Sequence, residues 1–209
     1  MKQIPLLIAL TFVLSLCSLT ERLTGKKTDS QTGNVSSSAS SDTGGEPVEK
    51  PAPTAAQTAA LAGGQTVNWD QQGLSWTMPA KWKKETVETK TFSWGGGDST
   101  FMSANISTMD ESFPTEASIK AFYDGAKTRK KNGEVDELRW LEIDGVKGVQ
   151  FREANPEKPD DIRRLQWMAY RKFAGQTQLV NLILSTTGKN FPQHQDELYA
   201  ILYSTKIVH

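Results

Sequence analysis

The side chains that could act as nucleophile or general base are few in this chain of 209 residues, which contains one cysteine and two histidines. A catalytic serine needs a base within hydrogen-bonding distance, usually a histidine, and only His194 and His209 are available. The chain has no Gly-x-Ser-x-Gly turn, which is the usual setting of a hydrolase serine. His194 falls in the first turns of a predicted helix, where a solvated or capping role is favoured over catalysis. The sequence therefore predicts no catalytic residue, and we expect the protein not to be an enzyme.

Two groups of oxygen-bearing side chains could also support chemistry. Glu142 and Asp144 lie two residues apart on a predicted strand and would face the same side, which keeps an unrecognised hydrolase as the least favoured alternative. Oxygen ligands of the kind that calcium prefers occur on one predicted loop, at Asn155, Glu157, Asp160 and Asp161. Their spacing fits no EF-hand and basic residues stand nearby, so we expect a solvated loop and neither a metal nor a cofactor.

A glycine-rich turn and its flanking aromatic residues form the last candidate site. The segment 95–98, Gly-Gly-Gly-Asp, could cradle an anion with its backbone N–H groups. No helix follows it and no Gly-Lys-Ser/Thr accompanies it, so a flexible hairpin turn is the favoured interpretation. Tryptophan is enriched at binding hot spots. We therefore predict Trp94, with Phe101 across the turn, as the pair that contacts a partner or ligand.

The N-terminus has the layout of an export signal. Lys2 is followed by an almost wholly apolar run at 4–16, about 13 residues long, and then by a polar segment. Such a run is shorter than the roughly 20 residues that span a membrane comfortably. A positive start, an apolar stretch and a polar exit are typical of a secretory signal peptide, which we assign to residues 1–17.

The only cysteine, Cys17, stands where the apolar run ends. The segment 14–17, Leu-Ser-Leu-Cys, resembles the lipobox of bacterial lipoproteins, although Leu16 occupies a position that is normally small. The resemblance implies that Cys17 is lipidated and becomes the mature N-terminus, anchoring the protein to a membrane. Two alternatives remain: cleavage as an ordinary signal, giving a free secreted protein, and an uncleaved anchor, which the short run disfavours.

Composition divides the rest of the chain into a linker and a domain. Residues 18–65 are rich in Ser, Thr, Gly, Ala, Gln and Pro, and this stretch contains no aromatic residue. It cannot bury enough apolar area to offset its ordering entropy, so we predict a disordered linker; a weak helix over 55–62 is the alternative. All six tryptophans lie within 66–209, which is long enough to form one globular domain. The 24 basic and 24 acidic residues cancel, which argues against a nucleic-acid partner.

The hydrophobic pattern of the domain predicts an α+β fold. Strands are expected first, then an amphipathic helix that Thr115 could cap, then a second run of strands and a final helix and strand. The predicted strands are 67–69, 74–78, 86–94, 101–108, 135–143, 146–154, 162–173, 177–186 and 205–208. Short turns between consecutive strands predict an antiparallel sheet, which the two helices would cover.

The order of these elements resembles that of the PsbP-like fold family. The resemblance rests on the segment 74–82, the amphipathic helix 118–131, the hairpin 141–149 and the closing helix and strand at 197–208. It covers roughly residues 67–208, and bacterial lipoproteins of unknown function form one branch of the family. The resemblance implies an α/β/α sandwich that binds another protein and has no enzymatic activity.

We therefore expect a membrane-tethered lipoprotein of the bacterial cell envelope, periplasmic or surface-facing, that serves as an accessory or binding module for another envelope protein. A small-ligand-binding envelope domain is the alternative.

The lipid anchor predicts a simple outcome for Cys17→Ala. Because Cys17 is the only cysteine and its thiol carries the diacyl group, the variant should lose acyl labelling and move from the membrane fraction to the soluble fraction. Metabolic labelling with a fatty-acid analogue and cell fractionation measure both effects. An unchanged membrane fraction would contradict lipidation at this residue.

Overall fold

The computed structural model describes residues 46–209. The predicted signal peptide, the predicted lipidation site Cys17 and the predicted linker up to residue 45 lie outside the described residues. In chain order the elements are β1 Val48–Glu49, α1 Ala55–Ala60, β2 Gln65–Trp69, β3 Leu74–Met78, β4 Lys83–Val87, β5 Thr91–Gly95, β6 Phe101–Met109, α2 Thr115–Lys131, β7 Val135–Ile143, β8 Val146–Glu153, β9 Ile162–Phe173, β10 Gln176–Thr187, α3 Phe191–Tyr203 and β11 Lys206–Ile207.

The strands form two sheets. The larger has the order β1-β7-β8-β9-β10-β6-β5-β4, and the smaller has the order β11-β3-β2. All strand pairs are antiparallel except the pair of β1 with β7. The predicted α+β architecture is confirmed, and the structure adds a second small sheet, a third short helix and one parallel strand.

Two apolar cores lie on opposite faces of the large sheet. The first lies between that sheet and the small sheet with α3, and it contains five of the six tryptophans, Trp69, Trp76, Trp82, Trp94 and Trp167. The second lies under α2, which presents Ile119, Tyr123 and Ala126 to the sheet at the expected helical spacing. The large sheet is thus covered on one face by α3 and the small sheet, and over β7, β8 and β9 on the other face by α2.

Turn chemistry sets the register of the long hairpins. Asp144 and Gly145 join β7 to β8 with φ of 48° and 85°, and Ala174 and Gly175 join β9 to β10 with φ of 50° and 75°. Both central residues of a type I′ turn need positive φ, so these pairs match the twist of the flanking strands. The two hairpins predicted from the sequence at these positions are confirmed.

The predicted linker ends earlier than residue 65. The structure places β1 and α1 within residues 46–65, where the sequence predicted disorder. The Thr54 side chain accepts a hydrogen bond from the Gln57 backbone N–H, and the Gln57 side chain accepts one from the Thr54 N–H. This capping box and the packing of α1 against α3 stabilise a helix that its composition alone did not favour.

Two local predictions also differ from the structure. The expected single strand 86–94 is a hairpin, in which β4 and β5 are joined by a turn at 88–90. The predicted cap Thr115 is the first residue of α2, and the preceding residue, Pro114, makes no side-chain cap bond.

A polar network attaches α3 to the sheet at β7 and β8. The Tyr199 hydroxyl donates to Glu137 Oε2 at 2.5 Å, and the Tyr203 hydroxyl accepts from Arg139 Nη2. Burial, reinforced by the Glu137 carboxylate, raises the pKa of the Tyr199 hydroxyl far above its usual value, so this donor keeps its proton. Arg152 Nη1 lies 3.4 Å from Glu137 Oε2. These polar contacts together hold β7 against α3.

A second buried polar contact joins the two sheets. Arg171 on β9 donates to the carbonyl oxygen of Gln72, which precedes β3, and to Gln178 Oε1 on β10. Its side chain has no carboxylate partner among residues 46–209, and burial lowers the pKa of Arg171 to about 10. The guanidinium also lies over the Phe173 ring, 4.4 Å from its centroid.

The capping box predicts the effect of Thr54→Ala on stability. Loss of the Thr54 hydroxyl leaves the Gln57 N–H without its partner and should lower the free energy of unfolding by about 1 kcal/mol. Thr58→Ala is the matched control, because Thr58 is exposed on the same helix and bonds only the Thr54 carbonyl. Urea denaturation of the full chain measures both changes. Equal effects for the two variants would contradict a capping role.

Candidate binding groove

A groove runs between α2 and the edge strand β7. It has a volume of about 400 Å³ and is lined on the helix side by residues of α2 between Glu116 and Lys127. Pockets that bind small molecules or partner side chains commonly have volumes of this order. The groove combines an aromatic floor with a charged rim and lies beside the edge of the large sheet, which makes it the best candidate for a binding site.

Two stacked aromatic rings form the floor of the groove. Tyr123 on α2 and Trp140 on β7 stack with their ring centroids 4.6 Å apart and their planes 5° from parallel. Lys147, on β8, places its Nζ 4.6 Å from the centroid of the Trp140 ring, a cation–π distance. The stack holds α2 on the sheet and fixes the shape of the floor.

Charged side chains of both signs surround this floor. Lys120 pairs with Asp124 on α2, and Lys127 Nζ lies 2.8 Å from Glu46 Oε1. The hydrogen bond to Glu46, together with its charge, raises the pKa of Lys127. Glu116 completes the rim near the start of α2. An aromatic floor within a polar rim is the arrangement found at many protein–protein hot spots.

The outer edge of β7 lies beside the groove, to which this strand contributes Trp140. Of the strands in residues 46–209, only β1 lies beside this edge, and it pairs with two of the nine residues of β7: Val48 with Trp140 and Glu49 with Leu141. The backbone groups along the rest of the edge have no strand partner in the described chain. An open edge of this kind is a template for pairing with another extended segment.

The structure separates the two residues predicted as a contact pair. Trp94 pairs across the strands with Met102 and packs in the first core, where 9% of its surface is exposed. Phe101 pairs with Gly95 and therefore points to the opposite face of the sheet, where it is half-buried. The pleat does not bring Trp94 and Phe101 together, so they cannot form one contact patch.

His194 is buried rather than solvated. Its Nε2 lies 3.2 Å from Asp98 Oδ2, and its Nδ1 lies 3.7 Å from Glu197 Oε1. Glu197 also accepts from Trp82 Nε1 at 2.9 Å and pairs with Lys81. The histidine therefore joins α3 to the glycine-rich turn and occupies a structural position.

The remaining candidate residues lie in separate local contacts. Asp98, in the glycine-rich turn, has φ of 55°, and its carbonyl accepts hydrogen bonds from Thr186 and Asn190, so this turn is attached to the start of α3. Glu142 pairs with Lys50, whereas Asp144 accepts from the Ile207 N–H. The two carboxylates predicted to act together are therefore engaged with different partners.

Within residues 46–209, no three His, Cys, Asp or Glu side chains lie close enough to hold a metal ion. On the loop that was expected to be solvated and to hold no metal, Asp160 pairs with Lys189. None of the helices in this part of the chain is long and apolar enough to cross a membrane.

Sequence reasoning missed the groove because its parts are far apart in the chain. Tyr123 falls in the predicted amphipathic helix and Trp140 in the predicted strand 135–143, and both side chains are buried. Nothing in the local pattern indicated that residues 46–50 lie beside them. The sequence does change there, from a Gly-, Ser- and Thr-rich composition to the segment Glu-Pro-Val-Glu-Lys-Pro at 46–51.

Comparison with known proteins adds evidence on the fold. No protein-family model matches the chain, and no curated protein matches its sequence. Among solved structures, the chain is similar to LpqN of Mycobacterium tuberculosis, described as involved in cell envelope biogenesis, with a TM-score of 0.50 and 10% identity over 70% of this chain and 86% of that one.

Two further structures match at lower TM-scores. Cyanobacterial PsbP from Synechocystis sp. PCC 6803 gives a TM-score of 0.44 and 13% identity over 69% of this chain and 92% of that one. The Ran-binding protein Mog1p of Saccharomyces cerevisiae gives a TM-score of 0.40 and 9% identity over 69% of this chain and 95% of that one. The fold of this chain is PsbP-like, as the resemblance in the sequence predicted, and at these identities the likeness shows the fold alone.

Proposed function

We propose that this chain is a membrane-tethered lipoprotein of the bacterial cell envelope that binds another envelope protein through the groove between α2 and β7. The observation that carries the proposal is the stacked pair Tyr123 and Trp140 beside a sheet edge that the described chain leaves mostly unpaired. Aromatic anchors give a partner side chain a place to bury, and the open edge offers backbone hydrogen bonds.

The export-like N-terminus supports the proposed location. Cys17 follows an apolar run typical of a secretory signal, and the polar segment after it could act as a tether for the domain. The similarity of the fold to LpqN, which is described as involved in cell envelope biogenesis, agrees with this placement. Under the proposal the partner is therefore an exported protein or the exported part of a membrane protein.

A binding role without catalysis agrees with the environment of the candidate acids and bases. His194 is 4% exposed and lies between two carboxylates, which leaves no room for a substrate at its ring nitrogens. Glu142 and Asp144 line the same surface pocket, but Glu142 pairs with Lys50 and Asp144 accepts a hydrogen bond from the Ile207 N–H. A general acid or base must be free to exchange a proton with the substrate, whereas both of these carboxylates already have protein partners.

The volume of the groove also favours a second candidate, the binding of a small ligand. A cavity of about 400 Å³ with an aromatic floor could enclose a molecule of modest size. In that case a small molecule should raise the melting temperature of the full chain and compete with any protein partner for the groove.

Site-specific crosslinking tests the proposed docking site. A photo-crosslinking amino acid at position 120, on the rim of the groove, should capture one exported protein in the native host. Position 189 is the matched control, because Lys120 and Lys189 are both exposed lysines that pair with a single aspartate. We expect capture at position 120 and none at position 189, measured by mass spectrometry of the crosslinked species.

The identity of the captured protein decides the outcome. The same protein must be recovered when the crosslinker is placed on that partner and this chain is captured in return. Equal capture at both positions, or capture at neither, would contradict binding through the groove.

A further inference from the structure

The segment Glu46 to Lys50, here called the strap, already occupies part of the groove. It runs parallel to β7 and forms the two-residue strand β1. Glu46 of the strap reaches Lys127 of α2, and Glu49 reaches Arg139 of β7, whose guanidinium also donates to the Tyr203 hydroxyl of α3. The strap therefore has the position that an added peptide strand takes between a helix and the edge of a sheet.

Side chains of the strap alternate between the two faces of the sheet. Glu46 reaches Lys127 on the α2 side at 2.8 Å, and Lys50 reaches Glu142 at 3.2 Å. Glu49 points the other way and lies 2.8 Å from Arg139 Nη1. This is the period of two that an extended chain requires, so three ion pairs fix both the register and the direction of the strap.

The strap is held weakly nonetheless. It makes only two residue pairs with β7, and prolines limit its length, since Pro47 and Pro51 flank the paired segment and have no N–H to donate. The side chains of Glu46, Glu49 and Lys50 are 40%, 49% and 77% exposed, and ion pairs this exposed contribute little. Val48, which lies beside Trp140, is itself 41% exposed.

We infer that the edge of β7 is a docking site for an extended segment of the partner protein, with the strap as the chain's own occupant. The inference rests on the proposed binding function and specifies how the partner is recognised. Charge complementarity defines the chemistry of that segment: two carboxylates three residues apart, for Lys127 and Arg139, with a small apolar residue between them against Trp140.

A partner strand can outcompete the strap by covering more of the edge. Seven of the nine residues of β7 have no partner in β1, and a longer strand without prolines would add backbone hydrogen bonds along them. The strap has the advantage of belonging to the same chain, which gives it a high effective concentration. The groove therefore favours a partner that supplies a long extended segment over one that supplies a short motif.

Hydrogen exchange on the full-length protein tests the inference. The double variant Glu46→Lys with Glu49→Lys places like charges opposite Lys127 and Arg139 and should release the strap. Among the amides of β7 at positions 139–142, those whose N–H points towards the strap should then exchange faster, by on the order of tenfold, because they lose their partner, whereas those that point towards β8 should not change. Glu88→Lys with Glu157→Lys is the matched control: it changes the net charge equally at exposed glutamates that have no ion pair within residues 46–209.

A synthetic peptide with the sequence of residues 44–52 serves as the probe at millimolar concentration. It should restore protection at 139–142 in the released variant and have little effect on the wild-type chain, whose own strap occupies the edge. The same peptide with both glutamates replaced by lysine should not protect.

Unchanged exchange in the released variant, or a peptide that fails to protect β7, overturns the inference. If the partner is still captured at position 120 in that case, the proposed binding function stands and only the mode of recognition is wrong. If capture at position 120 fails while the peptide protects β7, the edge accepts a strand but the proposed function is wrong.

Discussion

The open edge of β7 is the constraint on which the arrangement around the groove depends. Because the terminal strand β1 pairs with only two of its residues, the nine-residue strand β7 still presents a row of backbone N–H and C=O groups that need either water or a partner. At the opposite edge, β4 is short and carries two lysines, which discourages pairing. At the β7 edge the chain uses its own strap instead, and the paired groups lie beside the aromatic stack.

Arg139 connects this edge to the rest of the molecule. Its guanidinium contacts Glu49 of the strap, the Tyr203 hydroxyl of α3 and Gln150 of β8, so one side chain joins three elements. Burial lowers the pKa of Arg139, but the neighbouring Tyr203, Glu49 and Glu137 raise it by more. The pKa is therefore above its usual value, and the guanidinium is charged. Loss of the strap would therefore remove one carboxylate from a network that also positions α3, which links the occupancy of the edge to the packing behind it.

Much of the fold follows from local rules that operate within a few residues. Asp144 and Gly145 determine a hairpin because both must adopt positive φ, and the spacing of Ile119, Tyr123 and Ala126 determines which face of α2 is buried. These features were predicted. The sequence did not predict that Trp94 and Phe101 are apart, because their placement depends on the exact register of the turn. Since Gly95 pairs with Phe101, the two aromatic side chains point to opposite faces of the sheet.

The parts that the sequence did not predict depend on distant partners. Composition alone indicates disorder for 46–65, yet each ordered element there has a partner more than 80 residues away, at Lys127, Arg139 or α3. A segment of this kind is ordered only by the surface on which it lies, so its order depends on its contacts and can be lost with them. The strap has little intrinsic preference for structure, which is why the sequence did not predict its order. For the same reason, a segment that binds the edge better can replace it.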